Sequence, residues 1–118
     1  MPSAKRTHRV GEEFREILAE AILKLKDPRV GFVTVTHVDV APDLKSALVF
    51  YTAMGEESER KATRAALRSA SGHLRQVIGH EVRLKFLPQL EFREDQSVES
   101  SDRVEQLLRK LKEDHAES

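Results

Sequence analysis

Two runs rich in β-branched residues lie only five residues apart. They are Phe32-Val33-Thr34-Val35-Thr36-His37-Val38-Asp39-Val40 and Ser46-Ala47-Leu48-Val49-Phe50-Tyr51-Thr52, joined by Ala41-Pro42-Asp43-Leu44-Lys45. Such runs read as strands. A five-residue link can join antiparallel neighbours only, because a parallel pair needs a crossover of a dozen or more residues. An antiparallel hairpin is therefore fixed mid-chain, and the rest must cover it. The second run is almost continuously apolar, which predicts a central strand.

Helical spacing appears on both sides of the hairpin. Val10, Phe14, Ile17, Leu18, Ala21, Ile22 and Leu25 define one apolar face. Asp27-Pro28 is expected to end that helix, since a residue before proline is pushed out of the helical region. After the hairpin, Glu57, Ser58 and Glu59 suit a helix N-terminus. Ala62, Ala65, Ala66, Leu67 and Ala70 continue it. Ser71-Gly72 is expected to interrupt the helix, because glycine disfavours a helix interior by about 1 kcal/mol. Leu74, Val77 and Ile78 resume the period up to Gly79. Val82, Leu84 and Phe86 alternate with Arg83 and Lys85, predicting a third strand that stops at Pro88. Leu90 and Phe92 prolong the alternation. Val104, Leu107, Leu108 and Leu111 predict a last helix over 102–113.

The expected order is α-β-β-α-(break)-α-β, an α+β fold with helices on one face of a three-stranded sheet. The length of 118 residues suits one domain. It reads as a basic flexible arm over 1–9, a single domain over 10–112 and a frayed tail over 113–118.

Charge is where function becomes readable. The formal net charge is zero, with 20 basic and 20 acidic residues, but the distribution is uneven. Eight basic residues against two acids lie between positions 60 and 93. Placed on a helical wheel with Arg60 at zero, Arg64 falls near 40°, Arg68 near 80° and Lys61 near 100°. Thr63, Ala66, Leu67 and Ala70 lie between roughly 240° and 340°. Small residues thus face the sheet, and cations line the neighbouring flank. A break at Ala70-Ser71-Gly72 would expose backbone N–H groups that can hold a phosphate, with Arg75 one turn beyond. This predicts RNA binding by Arg60, Lys61, Arg64, Arg68, Ala70, Ser71, Gly72 and Arg75. Lys5, Arg6 and Arg9 would add an electrostatic arm, and Arg83 and Lys85 are weaker candidates.

Other classes find little support. With no cysteine, disulfides and thiolate metal sites are excluded. His8, His37, His73, His80 and His115 show no metal-ligand spacing. His37 and Asp39 share a strand face, where the carboxylate could orient a general base, yet no nucleophile accompanies them. Neither a GxGxxG nor a Walker loop is present. No enzyme, cofactor, metal or small-molecule substrate is expected. No secretory signal opens the chain and no apolar run is of membrane-spanning length, so a cytoplasmic, monomeric protein is expected. One rival reading is a protein-interaction module that docks a partner through its sheet or through Leu107, Leu108 and Leu111; a second is a small hydrolase or nuclease using His37 or His73.

The sequence resembles the ribosome-binding factor A family. The likeness is carried by Arg9-Val10, by Asp27-Pro28-Arg29-Val30-Gly31 running into Val33-Thr34-Val35-Thr36-His37-Val38, and by Asp43-Leu44-Lys45-Ser46-Ala47. Further matches are Ala70-Ser71-Gly72 before His73-Leu74-Arg75, and Leu84-Lys85-Phe86-Leu87-Pro88-Gln89-Leu90-Glu91-Phe92 leading to Asp95-Gln96-Ser97. The resemblance implies a type II KH-like fold, with a kink at Ala70-Ser71-Gly72 where ordinary KH domains carry a Gly-x-x-Gly clamp. It implies a ribosome assembly factor that contacts 16S rRNA on the small (30S) subunit, free and not within 70S ribosomes. It also implies a part in late maturation, including processing of the 5′ end of the precursor rRNA.

Overall fold

In the computed structural model the described residues are 4–95. The elements are α1 (Ala4–Leu23), β1 (Val33–Val40), β2 (Ser46–Ala53), α2 (Glu57–Val82) and β3 (Gln89–Glu94). The sheet order is β1-β2-β3. β1 and β2 pair antiparallel, as their short link requires. β3 joins the other edge of β2 in parallel, and α2 is the crossover that this direction demands. β2 is central, as its apolar run implies.

Both helices cover one face. Phe14, Leu18 and Ile22 of α1 meet Val35 and Val38 of β1, Val49 and Tyr51 of β2, and Leu67, Leu74 and Ile78 of α2 in one buried cluster. Val35 and Val38 are three apart, so plain alternation would send them to opposite faces. A bulge resolves this. Val35 pairs with Tyr51 and His37 with Phe50, so Thr36 is the extra residue and Val38 turns inward.

Four expectations need correction. α1 begins at Ala4, not near Val10, so Arg6 and Arg9 stand on a helix rather than a flexible arm. It ends at Leu23, before the Asp27-Pro28 stop. The Asp27 carboxylate instead folds the connection by accepting the Arg29 backbone N–H at 2.9 Å.

The interruption at Ser71-Gly72 is absent. α2 runs unbroken from Glu57 to Val82, because Ala70 and Leu74 pack on the same core from both sides of the glycine. That packing outweighs a propensity penalty of about 1 kcal/mol.

The third strand is Gln89–Glu94, not residues 82–86. α2 continues to Val82, and Arg83 closes it in the left-handed region (φ 54°), donating its N–H to the Gly79 carbonyl. Residues 84–88 are spent crossing back to the sheet edge, where the Gln89 N–H reaches the Lys45 carbonyl at 2.9 Å. Leu90 and Phe92 then face the core. The helix expected over 102–113 and the tail at 113–118 lie outside the described residues.

Candidate nucleic-acid interface

α2 is 26 residues long, about 39 Å, and its circumference divides into three strips. Thr63, Ala66, Leu67, Leu74 and Ile78 form the buried strip. The Thr63 hydroxyl donates to the Arg29 carbonyl at 3.3 Å, tying α2 to the loop after α1.

A second strip faces β3 and holds cations already engaged. Arg60 donates through Nη2 to Glu94 Oε2 at 2.8 Å, and Arg64 Nη2 stands 3.7 Å from Glu94 Oε1. The Glu94 side chain is only 10% exposed. The Arg60 hydrogen bond pulls its pKa below the usual carboxylate value, against the opposing effect of burial. Tyr51 is buried alongside, and that burial pushes its pKa up while the Arg64 guanidinium pulls it down. Arg75 donates through Nε to the Pro88 carbonyl at 2.9 Å and through Nη2 to the Leu87 carbonyl at 3.3 Å. It clamps the segment that leads into β3.

The third strip is the exposed crest. Arg68 has no ion-pair partner among the described residues. Lys61 is exposed, with Glu57 at a loose 3.9 Å. Gly72 lies on the same crest, and a Cβ added there would meet nothing within 4 Å. Nothing within the described residues requires a glycine at that point. Its effect is to keep the crest low between flanking side chains. Arg29 borders the crest from the far side, its Nη2 3.4 Å from the Ser69 hydroxyl while the same group holds Asp27. Arg29 escapes a charge count along the sequence, because it precedes β1 and only the fold brings it to α2.

The expected residues therefore separate. Lys61, Arg64, Arg68 and Gly72 are together on or beside the crest. Arg60 and Arg75 serve the β3 side, and Ala70 and Ser71 are half-buried. The unbroken helix frees no backbone N–H at residues 70–72, which removes the expected anion pocket. The N-terminus that α2 does have carries Glu57 and Glu59, which repel phosphate.

Arg6 and Arg9 are not brought to the crest. Thr7 and His8 lie beside Val38–Val40, while Ile22 and Leu23 lie beside Val33 and Thr34. The start of α1 thus sits at the opposite sheet end from the start of α2. The Lys5 side chain lies outside what is described. Arg83 and Lys85 stand past the far end of α2, where Lys85 and Lys45 each lie 5.5 Å from the Phe86 ring centre.

His37 Nε2 lies 2.6 Å from Asp39 Oδ1, and its ring stacks on Phe50. Both partners are exposed. No cluster of metal-ligating side chains occurs among the described residues, and no described helix is long and apolar enough to cross a membrane.

The family model for ribosome-binding factor A matches residues 6–108. The chain belongs to the ribosome-binding factor A family. The family member from Geobacter sulfurreducens is 44% identical over 107 residues, covering 90% of this chain and 91% of that one. The one from Brevibacillus brevis is 46% identical over 107 residues, covering 90% and 88%. Among solved structures, ribosome-binding factor A from Thermus thermophilus superimposes with a TM-score of 0.67 at 31% identity, covering 75% of this chain and 94% of that one. A homology model of the Thermus thermophilus factor, fitted into a cryo-EM map of its 30S complex, superimposes with a TM-score of 0.65 at 31% identity, covering 77% and 96%.

In this member of the ribosome-binding factor A family, the segment Pro88-x-Leu90-x-Phe92-x-x-Asp95 has a structural meaning. Pro88 is buried under the Arg75 clamp. Leu90 and Phe92 pack against the core. The Asp95 carboxylate accepts the Thr36 hydroxyl at 2.6 Å. The segment anchors the third strand at both ends.

Proposed function

We propose that this protein is an assembly factor for the small ribosomal subunit, and that it binds 16S rRNA with the crest of α2. The observation that carries the reading is the fit between family and surface. A structural relative was fitted into a map of a 30S complex, and this chain presents Lys61, Arg64 and Arg68 around an unobstructed Gly72. Arg68 and Lys61 neutralise phosphates. Arg64, held toward Glu94, and Arg29, held toward Asp27, border the contact. Arg60 and Arg75 act indirectly, by fixing α2 against β3. Lys5, Arg6 and Arg9 add attraction at a distance, and Arg83 and Lys85 contribute least.

The low crest suits a folded RNA backbone better than single bases, since no aromatic side chain lies on it to stack them. The protein favours one rRNA conformation during late maturation, including processing of the 5′ end, and leaves when that conformation is replaced. It acts in the cytoplasm as a monomer on free small subunits and carries out no catalysis.

Sedimentation with ribosomal particles tests this. The unaltered protein is expected with free small subunits and absent from translating ribosomes. Lys61→Glu combined with Arg68→Glu is expected to remove it from the small-subunit fraction while thermal unfolding stays cooperative. Neither residue holds the fold together, so retained binding would move the interface away from α2.

A further inference from the structure

Three large apolar side chains stand in water at one end of the sheet: Leu23 is 81% exposed, Phe32 82% and Met54 72%. All three line a groove of about 450 Å³ between the end of α1 and the first residues of β1. Ile22, Leu25 and Val33 form its floor. A contiguous patch of this kind marks a surface that is covered in use.

The C-terminal part of the chain emerges at the same end. β3 runs parallel to β2, and Tyr51 pairs with Glu94, so the chain leaves the sheet next to the strand end that carries Met54. The exit also points toward β1, because the Asp95 carboxylate reaches across β2 to the Thr36 hydroxyl. The groove lies about two strand spacings away, roughly 10 Å. The eight residues between Asp95 and Val104 can span up to about 30 Å when extended, so the reach is ample.

The sequence beyond that exit carries a matching apolar stripe. Val104, Leu107, Leu108 and Leu111 fall within roughly 100° of a helical wheel and cover about 10 Å of helix. The segment's four bases, Arg103, Arg109, Lys110 and Lys112, stand against three acids, Asp102, Glu105 and Glu113, with three of the bases gathered in its second half, and the exposed Glu56, Glu57 and Glu59 adjoin Met54.

We propose that residues 102–113 fold back as an amphipathic helix and seat Val104, Leu107, Leu108 and Leu111 in the groove of Leu23, Phe32 and Met54. The segment thereby completes the core at the sheet end beside Val33 and Met54. This does not depend on RNA binding, so it stands or fails separately from the proposed function.

The chain has no cysteine, which allows an unambiguous cross-link in the full-length protein. Met54→Cys is combined with Leu108→Cys on the apolar stripe, or with Gln106→Cys on the opposite side of the same helix. Under mild oxidation the first pair is expected to form a disulfide within the monomer, and the second is not. Equal cross-linking of both pairs would mean a free tether acting through effective concentration alone, and would overturn the proposal. So would disulfide-linked dimers, which would place a second copy in the groove, or no cross-link at all.

A labelling measurement guards against perturbation by the pair. The thiol introduced by Met54→Cys alone is expected to react with a maleimide about tenfold more slowly than when Leu107→Glu and Leu108→Glu are added, a ratio equivalent to about 1.4 kcal/mol of docking. Protection that appears only after small subunits are added would assign the groove to a ribosomal partner and overturn the proposal. Direct contacts between the Met54 methyl and the Leu107 or Leu111 methyls, read by NMR in the unaltered protein, are the independent check.

Discussion

Glu94 holds two arginines that a charge count treats as free. Its carboxylate is nearly enclosed, so the pairing with Arg60 and Arg64 is worth more than an exposed ion pair, whose value is close to zero. The pH dependence is set by the direction of the shift. The folded pKa lies below its ordinary value of 4.5, so the contribution is complete above that value and is lost as pH falls through the folded pKa. Glu94→Gln is expected to lower the Tm at neutral pH, with a deficit that shrinks as pH is taken down through the folded pKa, as followed by circular dichroism. A deficit of constant size across that range would show that packing, not charge, is what the variant loses. Arg75 is a third arginine that the charge pattern treats as free and the fold engages. Two carbonyls, of Leu87 and Pro88, occupy its guanidinium, and carbonyls leave no mark in a charge pattern.

Two glycines show how an element reads its residues. Gly11 of α1 is buried, and an added Cβ would lie 2.5 Å from the Val38 carbonyl oxygen. The helix and β1 approach each other through that missing atom. Gly11→Ala is expected to destabilise the protein by about 1–3 kcal/mol. Gly72→Ala meets open space and is expected to stabilise the free protein by about 1 kcal/mol, while weakening small-subunit binding if rRNA approaches the crest closely. Thermal unfolding and sedimentation of the same variants separate the two effects; unchanged binding by Gly72→Ala would remove the close approach.

The same contrast explains what is legible in the sequence. The hairpin link and the β-strand propensities are local, so both strands and their antiparallel sense can be read directly. At Gly72 propensity alone argues for a break, while tertiary contacts from Ala70 and Leu74 decide otherwise. The strand expected at Val82, Leu84 and Phe86 fails for a related reason. Alternation there is real but short, and the preceding helix extends into it. The crest is half legible. The wheel finds Lys61, Arg64 and Arg68 on one side of α2. It cannot find Glu94 or Arg29, which reach α2 only through the fold.

On the scale of the whole molecule, zero net charge conceals an uneven surface, and binding should report the surface rather than the sum. If about four phosphates are contacted, affinity is expected to fall roughly 50- to 150-fold between about 50 and 200 mM salt. Filter binding or anisotropy with a 16S rRNA fragment measures the slope, and a flat response would exclude phosphate-led recognition.

The parallel placement of β3 has a consequence for how the chain is made. β2 ends at Ala53, and its second partner begins only at Gln89. At about 5–20 residues per second, a ribosome needs roughly 2–7 s to synthesise the intervening stretch. During that interval the nascent chain holds a two-stranded hairpin covered by α1 alone, short of the third strand and second helix that complete its core, with the central strand's edge open to other chains. Closure waits for Gln89 to meet Lys45 and for Arg75 to grip the carbonyls before it. The clamp is therefore also a late step in biogenesis, and its loss lengthens the time for which a growing copy of this protein is exposed to aggregation.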